Sequence, residues 1–263
     1  MISGPVRHIS SRDNDLLKGL RKLARDSTAY RTQGRIWVEG EHLCRAAMAR
    51  GVAALLGVYS ESCWPLVARE FAHGAARSIV IADSLFDRIS ALESPSRMAY
   101  VLALPPRTNL QAKMPSVILE RVQDAGNVGA ILRSASAFGF RQIIALDGTA
   151  ALWSPKVLRA GMGAHWGLHL VEAVQVAELT KLALPIVVTS SHQGVWLHQA
   201  QRQRQLPWPC AWAFGHEGQG VGDELRALAA LGARIPQPGG EESLNVAAAA
   251  AICLYASATT APE

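Results

Sequence analysis

The segment GGEESLNVAAAAAICLYA, residues 239–256, decides how the end of this 263-residue chain folds. Pro236, Pro238 and the two leading glycines disfavour a helix before it, and the alanine run predicts one over about 245–257. Either Ser243 or Asn245 can cap that helix, because both side chains accept hydrogen bonds from its first free N–H groups. One cap needs only one polar residue, so the second must have another use.

Upstream of this helix, short apolar strands alternate with helices. We predict strands at 116–120, 142–146, 185–190 and 211–214, with a short one ending at Ile235, and helices at 128–138, 155–161, 174–183 and 222–231. This alternation predicts an α/β fold with a mostly parallel sheet covered on both faces. Ligands of such sheets bind at the carboxyl ends of the strands, which here are the loops 121–127, 189–195, 215–221 and 236–245.

The first of these loops leads into a helix that carries two candidate functional residues. Asn127 is placed to be its N-cap. Arg133 follows beside Ile131 and Leu132, and a charge on such an apolar stretch is costly unless it is paired. It therefore forms either a structural ion pair or a contact with phosphate or ribose, because a guanidinium presents a planar fork to phosphate oxygens.

The loop AFGHEGQGVGDE, residues 213–224, holds four glycines within eight residues. Glycine allows close backbone approach to a ligand, but the order is not the dinucleotide-binding GxGxxG. Glu217 lies in this loop. By residue type alone it is more often a turn or helix-start carboxylate than a catalytic one.

The segment LPPRTNLQAKMP, residues 104–115, is flanked by proline and lacks periodicity, which is typical of a linker. We therefore expect a first domain at 1–104, a linker at 105–115 and a second domain at 116–263. The first domain also alternates between helices and strands: we predict helices at 12–25, 39–50 and 64–74 and strands at 35–38, 53–59, 78–81 and 99–104.

The net charge of +5 is concentrated in residues 1–35, which hold eight Lys or Arg and three acids. Such a segment is either a surface that faces a polyanion or a solvated basic helix. The candidate polyanion-binding residues are Arg7, Arg12, Lys18, Arg21, Lys22 and Arg25.

Composition limits the class of protein. An apolar content of 49% supports a folded core, and no apolar run approaches the ~20 residues that span a bilayer. The start, MISGPVRHIS, lacks the apolar region of a secretory signal, and no two of the four cysteines form a CxxC pair. We expect a reduced, cytoplasmic protein with no metal site and no membrane association.

Three stretches together resemble one enzyme family. Asn127–Gly139 matches N-x-G-A-I-x-R-x-A-x-x-F-G, Gly215–Gly220 matches G-x-E-x-x-G, and Ile235–Val246 matches I-P-x-x-G-x-x-x-S-L-N-V. These are similar, in order and spacing, to the three motifs of the SpoU (TrmH) family of RNA ribose 2′-O-methyltransferases. Residues 156–170 resemble the family's middle segment. Residues 31–51 are similar to the small RNA-binding domain of its ribosomal-RNA members.

The resemblance implies a small L30e-like α/β domain followed by a parallel-sheet α/β domain with a deep trefoil knot. It implies S-adenosylmethionine as cofactor, a homodimer, and RNA as substrate, with 23S ribosomal RNA favoured over transfer RNA. The implied catalytic residues are Asn127, Arg133, Glu217, Ser243 and Asn245. The implied cofactor-pocket residues are Thr189, Gly215, Ile235 and Leu244.

Three positions depart from the family pattern: Ala125, Gln237 and Ala247 stand where proline, methionine and serine are common. They change loop stiffness and packing rather than the polar atoms, so activity is expected. Two other classes stay open: a non-catalytic RNA-binding factor on the same scaffold, and a nucleotide-dependent oxidoreductase. Retention of all five polar residues disfavours the first, and the missing GxGxxG disfavours the second.

Overall fold

The computed structural model describes residues 6–190, 193–240 and 244–260. The chain divides into two compact units, one formed by Met1–Pro106 with Trp153–Trp166 and the other by Arg107–Leu152 with Gly167–Glu263. The two-domain division that the linker composition predicts, with domains at 1–104 and 116–263, stays a prediction. However, residues 153–166, which we assigned to the second domain, are grouped with the first unit.

The first unit is built on a mixed sheet, which has five strands over the described residues. In chain order its elements are β1 (Val6–Ile9), α1 (Asp15–Arg25), α2 (Ala29–Gln33), β2 (Arg35–Glu39), α3 (Glu41–Ala49), β3 (Leu56–Ser60), α4 (Trp64–Phe71), β4 (Ser78–Ile81), α5 (Asp83–Ile89) and β5 (Met98–Ala103). The strand order is β1-β4-β3-β5-β2, and β5 runs antiparallel to both of its neighbours.

The basic helix α1 forms because its apolar residues recur at helical spacing. Leu17, Leu20 and Leu23 are buried in the core of the first unit. Asn14 caps the helix by accepting a hydrogen bond from the N–H of Leu16. The lysines and arginines therefore lie on the outer face, as expected of an amphipathic surface helix.

The second unit contains a sheet that is parallel throughout, with seven strands over the residues described. Its elements are β6 (Ser116–Leu119), α6 (Ala125–Ala137), β7 (Gln142–Leu146), β8 (His169–Val174), β9 (Ile186–Thr189), β10 (Val195–Trp196), α8 (Leu197–Arg202), β11 (Ala211–Phe214), α9 (Asp223–Ala227), β12 (Leu231–Arg234) and α10 (Val246–Ala258). The intervening helix α7 (Pro155–Gly161) belongs to the first unit, where it packs against β2. The strand order is β10-β12-β9-β11-β6-β7-β8.

The α/β class and the parallel sheet predicted from the sequence are confirmed. Sequence reasoning missed the strands β1, β8 and β10 and the helices α2, α5 and α8. The segment predicted as a helix over 174–183 is a 3-10 helix at Val176–Leu182. The knotted threading implied by the family resemblance stays a prediction.

The predicted linker is fixed along the β8 side of the second sheet. The Thr108 hydroxyl donates to the carbonyl of Leu170 at 2.8 Å, and Gln111 exchanges two hydrogen bonds with the Gln142 side chain. Leu110 packs against the core of this unit. An edge strand offers unpaired backbone groups to other chains, and this segment covers part of that edge.

The alanine-rich helix α10 packs against α6 and β11. Ala250, Cys253 and Leu254 are buried, and the Ser257 hydroxyl accepts a hydrogen bond from the Trp212 indole at 2.8 Å. Within the described ranges, no helix has the length and apolarity to cross a membrane.

Candidate active site

Three predicted cofactor residues lie at the carboxyl ends of three neighbouring strands. Thr189 ends β9, Gly215 follows β11 and Ile235 follows β12, and β9 lies between the other two strands. Neighbouring strands are ~4.8 Å apart, so these residues span about 10 Å of the sheet edge. Gly215 is buried and Thr189 and Ile235 are half-buried, which leaves backbone groups and apolar atoms at this edge.

The glycine loop after β11 is a tight turn. The N–H of Gly220 donates to the carbonyl of His216 at 2.8 Å, and a Cβ on Gly215 would lie 2.1 Å from the carbonyl carbon of Gly220. No other residue fits at position 215 without moving the backbone. The His216 ring Nδ1 accepts from the N–H groups of Gly218 and Gln219 at 3.0 and 3.3 Å, which fixes the turn around Glu217.

The first loop begins helix α6 with a cap that differs from the prediction. Asp124 is the N-cap, and its carboxylate accepts from the N–H of Asn127 at 2.7 Å. The expectation that Asn127 caps the helix was wrong, because Asn127 already lies within the first turn. Asp124, three residues before it, carried the same capping signal in the sequence. The Asn127 side chain is therefore free to bind elsewhere.

Asn127 joins the three motif loops by hydrogen bonds. Its Nδ2 donates to Glu217 Oε1 at 3.2 Å, and its Oδ1 accepts from Asn245 Nδ2 at 2.9 Å. Asn245 Oδ1 in turn accepts from the N–H groups of Ala247 and Ala248, so Asn245 is the N-cap of α10, as predicted. A carboxylate only accepts hydrogen bonds, so Glu217 must face the Nδ2 of Asn127. A backbone N–H only donates, so the start of α10 must face the Oδ1 of Asn245. The orientation of both side-chain amides is therefore fixed.

Glu217 is held as a carboxylate. Partial burial raises the pKa of Glu217, but hydrogen bonds from its own backbone N–H, from the Asn127 amide and from the N–H groups of Asp124 and Gln123 outweigh this and hold the pKa below its usual range. Glu217 is therefore ionised at neutral pH and a weak base. Its geometry suits orientation of Asn127 better than proton transfer.

Arg133 is not brought into this network. It is exposed and makes no hydrogen bond or ion pair with any residue that the structure describes. At 1.5 Å per residue it lies about 9 Å along α6 from Asn127. The structure therefore shows no structural ion pair of Arg133 within the described residues.

Ser243 lies outside the described residues. Leu244, next to it, is 39% exposed and precedes Asn245 at the mouth of α10. An exposed apolar side chain at the mouth of this helix suits contact with an aromatic or aliphatic part of a ligand.

The six basic residues of the N-terminal segment differ in their surroundings. Arg25 donates to the carbonyls of Ile89 and Ser90 at 3.3 and 2.7 Å, at the C-terminal end of α5. Lys18 pairs with Asp15 at 2.9 Å, which raises the pKa of Lys18.

The remaining basic residues, Arg7, Arg12, Arg21 and Lys22, are exposed to solvent. Lys18, Arg21, Lys22 and Arg25 line one shallow concave surface with Asp26. Sequence reasoning could not distinguish Arg25 from the other basic residues, because its hydrogen-bond acceptors lie more than sixty residues away in the chain.

The four cysteines are free and buried. Among the residues described, no group of three or more His, Cys, Asp or Glu is placed to hold a metal ion.

The residues at the sheet edge fit S-adenosylmethionine. The edge combines buried Gly215, whose backbone is not covered by a side chain of its own, with the half-buried apolar residue Ile235. Such an edge can accept an adenine through backbone groups and a methionine chain through apolar contacts. Thr189 instead turns its hydroxyl to the carbonyl of Ala213 at 3.3 Å and ties β9 to β11.

The sequence profile of the SpoU rRNA methylase family matches residues 114–255. The chain belongs to the SpoU rRNA methylase family. It thereby belongs to the RNA 2′-O-methyltransferases, which use S-adenosylmethionine, and the predicted reaction class and cofactor are confirmed at this level.

Similar proteins cover nearly the whole chain. The 23S rRNA (guanosine(2553)-2′-O)-methyltransferase RlmP of Bacillus subtilis is 28% identical over 95% of this chain and 98% of its own. The structure of a putative RNA methyltransferase of the TrmH family from Porphyromonas gingivalis superposes with a TM-score of 0.79 at 28% identity, covering 92% of this chain and 96% of that one. An AdoMet-bound rRNA methyltransferase from Sinorhizobium meliloti gives 0.80 at 25% identity, covering 96% and 97%.

Proposed function

We propose that this protein transfers a methyl group from S-adenosylmethionine to a ribose 2′-hydroxyl of 23S ribosomal RNA. The observation that carries the proposal is the hydrogen-bonded chain Glu217–Asn127–Asn245, which joins the three family motifs at the carboxyl edge of the sheet. The similarity to RlmP over nearly all of both chains supports a ribosomal substrate.

The amides of Asn127 and Asn245 orient the target nucleotide. Their orientation is fixed by Glu217 at one end and by the α10 backbone at the other, so they meet the nucleotide without reorganising. Methyl transfer needs the attacking oxygen ~3–3.5 Å from the methyl carbon, in line with the leaving group. When bound, S-adenosylmethionine supplies an electrophilic methyl group on a sulfonium leaving group. Ser243 is proposed to act beside Asn245 as a further hydroxyl contact.

Arg133 binds the RNA phosphate next to the target ribose. A guanidinium stays protonated in proteins, so Arg133 positions the phosphate and stabilises charge rather than acting as a base. Its distance of about 9 Å along α6 from Asn127 is consistent with a contact on a neighbouring group of the nucleotide rather than on the hydroxyl itself.

The first unit grips RNA through its basic helix. Arg21 and Lys22 are the principal phosphate-binding residues we propose, with Arg7, Arg12 and Lys18 beside them. Arg25 acts mainly within the fold, because its guanidinium donates to the carbonyls at the C-terminal end of α5. Four buried free thiols suit the reducing cytoplasm where ribosomal RNA is modified in bacteria.

The protein works as a homodimer that pairs through α10. Ala248, Ile252 and Tyr255 are exposed at helical spacing on one face of α10, with Ile252 42% and Tyr255 55% exposed. A contiguous apolar stripe on a helix marks an interaction surface. We expect Ile252→Asp to produce a monomer by light scattering, whereas the matched Leu66→Asp, at an 81% exposed leucine of the first unit, leaves the dimer intact. A dimer that survives Ile252→Asp would place the interface elsewhere.

The decisive experiment incubates the protein with methyl-labelled S-adenosylmethionine and separate pools of unmodified ribosomal and transfer RNA. We expect 2′-O-methyl nucleosides in the 23S RNA only. Label in transfer RNA instead would show that transfer RNA is the substrate. If neither pool is labelled, the assay is repeated with unmodified ribosomal particles, and no label there would refute the proposed activity.

Arg133→Ala is expected to abolish turnover while calorimetry shows unchanged affinity for S-adenosylmethionine. Arg141→Ala, an exposed arginine of the same unit, is the matched control and should retain turnover. If Arg133→Ala methylates RNA as well as the control does, the role assigned to Arg133 is wrong.

A further inference from the structure

Glu120 holds both ends of the glycine loop. It follows β6 directly, and its backbone N–H donates to the carbonyl of Phe214 at 2.9 Å, at the point where the loop leaves β11. Its carboxylate Oε2 accepts from the N–H of Gly222 at 2.6 Å, where the loop ends and α9 begins. One residue therefore fixes the distance between the two ends of residues 215–222.

The Glu120 carboxylate is unusually buried for a charged group. The residue is only 8% exposed, and burial of a carboxylate is costly unless hydrogen bonds compensate. The guanidinium of Arg121 lies 3.7 Å away and also donates to Gln219 at 2.9 Å within the same loop. The Glu120 carboxylate thus binds one end of the loop, and the neighbouring Arg121 binds Gln219 in the middle of the loop.

Glycine at position 222 leaves room for this contact. A Cβ there would lie 2.9 Å from Glu120 Oε1, so the end of the Glu120 side chain would have to shift. The backbone of Gly222 has φ −70°, which any residue adopts. The glycine is therefore explained by contact with Glu120 and not by backbone conformation.

We propose that Glu120 is a positioning residue for the methyltransferase site. The loop that it closes carries Gly215 at the proposed cofactor edge and Glu217 at one end of the amide network. Glu120 touches neither the cofactor nor the RNA, and it acts through these two residues. The proposal rests on the proposed function of the site.

The test compares three variants with the wild-type protein. Glu120→Ala removes the acceptor, Glu120→Gln keeps an acceptor oxygen of the same reach, and Asp223→Ala removes a fully exposed carboxylate from the first turn of α9 as a matched control. We expect Glu120→Ala to raise both KM and the calorimetric Kd for S-adenosylmethionine about tenfold, as loss of a hydrogen bond to a charged group predicts. Glu120→Gln should recover most of this loss, and Asp223→Ala should show none.

Hydrogen exchange of the unliganded protein gives a readout independent of activity. The amides of residues 215–222 should lose protection in Glu120→Ala while those of β7 keep it; loss of protection throughout the sheet would mean a general folding defect and would overturn the positioning role. Equal protection and equal Kd in Glu120→Ala and wild type would also overturn it.

A double-mutant cycle links the two partners. Gly222→Ala should weaken cofactor binding in the wild-type background, where the new Cβ displaces the carboxylate, and should have little further effect in Glu120→Ala. Additive effects would refute the proposed contact. A wild-type protein that binds the cofactor and methylates no RNA would refute the proposed function while leaving the cofactor-binding arm of this test intact.

Discussion

Replacement of Asn127 by aspartate changes one atom group and should disable the amide network. The Nδ2 group, which now donates to Glu217 Oε1 at 3.2 Å, becomes an oxygen that faces a carboxylate. Two charges 3.2 Å apart repel by about 5 kcal/mol at an effective dielectric of ~20 and by about 1.3 kcal/mol in bulk water. The side chains will rotate apart, so the smallest cost is the lost hydrogen bond to a charged group, about 1.5–3 kcal/mol.

Without this hydrogen bond Asn245 is no longer held in its orientation, and methyl transfer slows. We expect kcat/KM of Asn127→Asp to fall about 10–100-fold, since each ~1.4 kcal/mol is a factor of ten. The pH dependence has a definite sign. A like charge raises the pKa of one carboxyl of such a pair, so the pair binds a proton as the pH falls and recovers a donor.

The assay is labelled methyl transfer between about pH 8 and pH 5, expressed as the ratio of variant to wild type so that the wild-type profile cancels. The ratio should rise towards low pH. Asn109→Asp is the matched control, because Asn109 is exposed and only its backbone carbonyl has a partner among the described residues. A ratio near one, or a ratio that does not change with pH, would refute the reasoning about the network.

Three further predictions concern the first turn of α6 and the basic helix. Ala125→Pro should raise the free energy of unfolding in urea by about 0.5–1 kcal/mol. Position 125 is the first residue of α6, and Asp124 already has the extended conformation that precedes proline. A destabilised variant would show that the N–H of residue 125 is needed. Arg25→Ala should lose about 1–2 kcal/mol of stability through its two carbonyl contacts. Lys22→Ala should leave stability unchanged but reduce the slope of log K against log salt for RNA binding by about 0.7–0.9. Equal salt slopes for Lys22→Ala and wild type would remove Lys22 from the RNA surface.

The parallel sheet could be predicted because its central strands are continuous apolar runs. QIIAL at 142–146 and AWAF at 211–214 are buried on both faces, and such runs leave little choice but a sheet covered by helices. The missed strands lack this signal. β10 is only two residues long and β1 carries exposed Arg7 and His8, so the pairing with β12 and β4 makes them strands.

The site was predicted as a set of residues and not as an arrangement. The motif resemblance brought Asn127, Glu217 and Asn245 together, but only the fold shows that their side chains bond to one another. Asn127 was given the wrong local role because any of several polar residues can cap a helix, and the choice between Asp124 and Asn127 depends on where the strand β6 ends. Glu120 gave no signal, because its partner Gly222 lies 102 residues away.

Asn245, at the mouth of the alanine helix, has two uses. It caps α10 with its Oδ1, and the same amide turns its Nδ2 to Asn127, so the cap is also one end of the network. This second bond requires the start of α10 to lie against the start of α6. The small side chains of the alanine-rich helix permit that approach, because they add little bulk between the two packed helix backbones. A longer apolar residue on the face of α10 that meets α6 would separate the helices before it affected any polar atom, so the small side chains of α10 are themselves a condition for the geometry of the site.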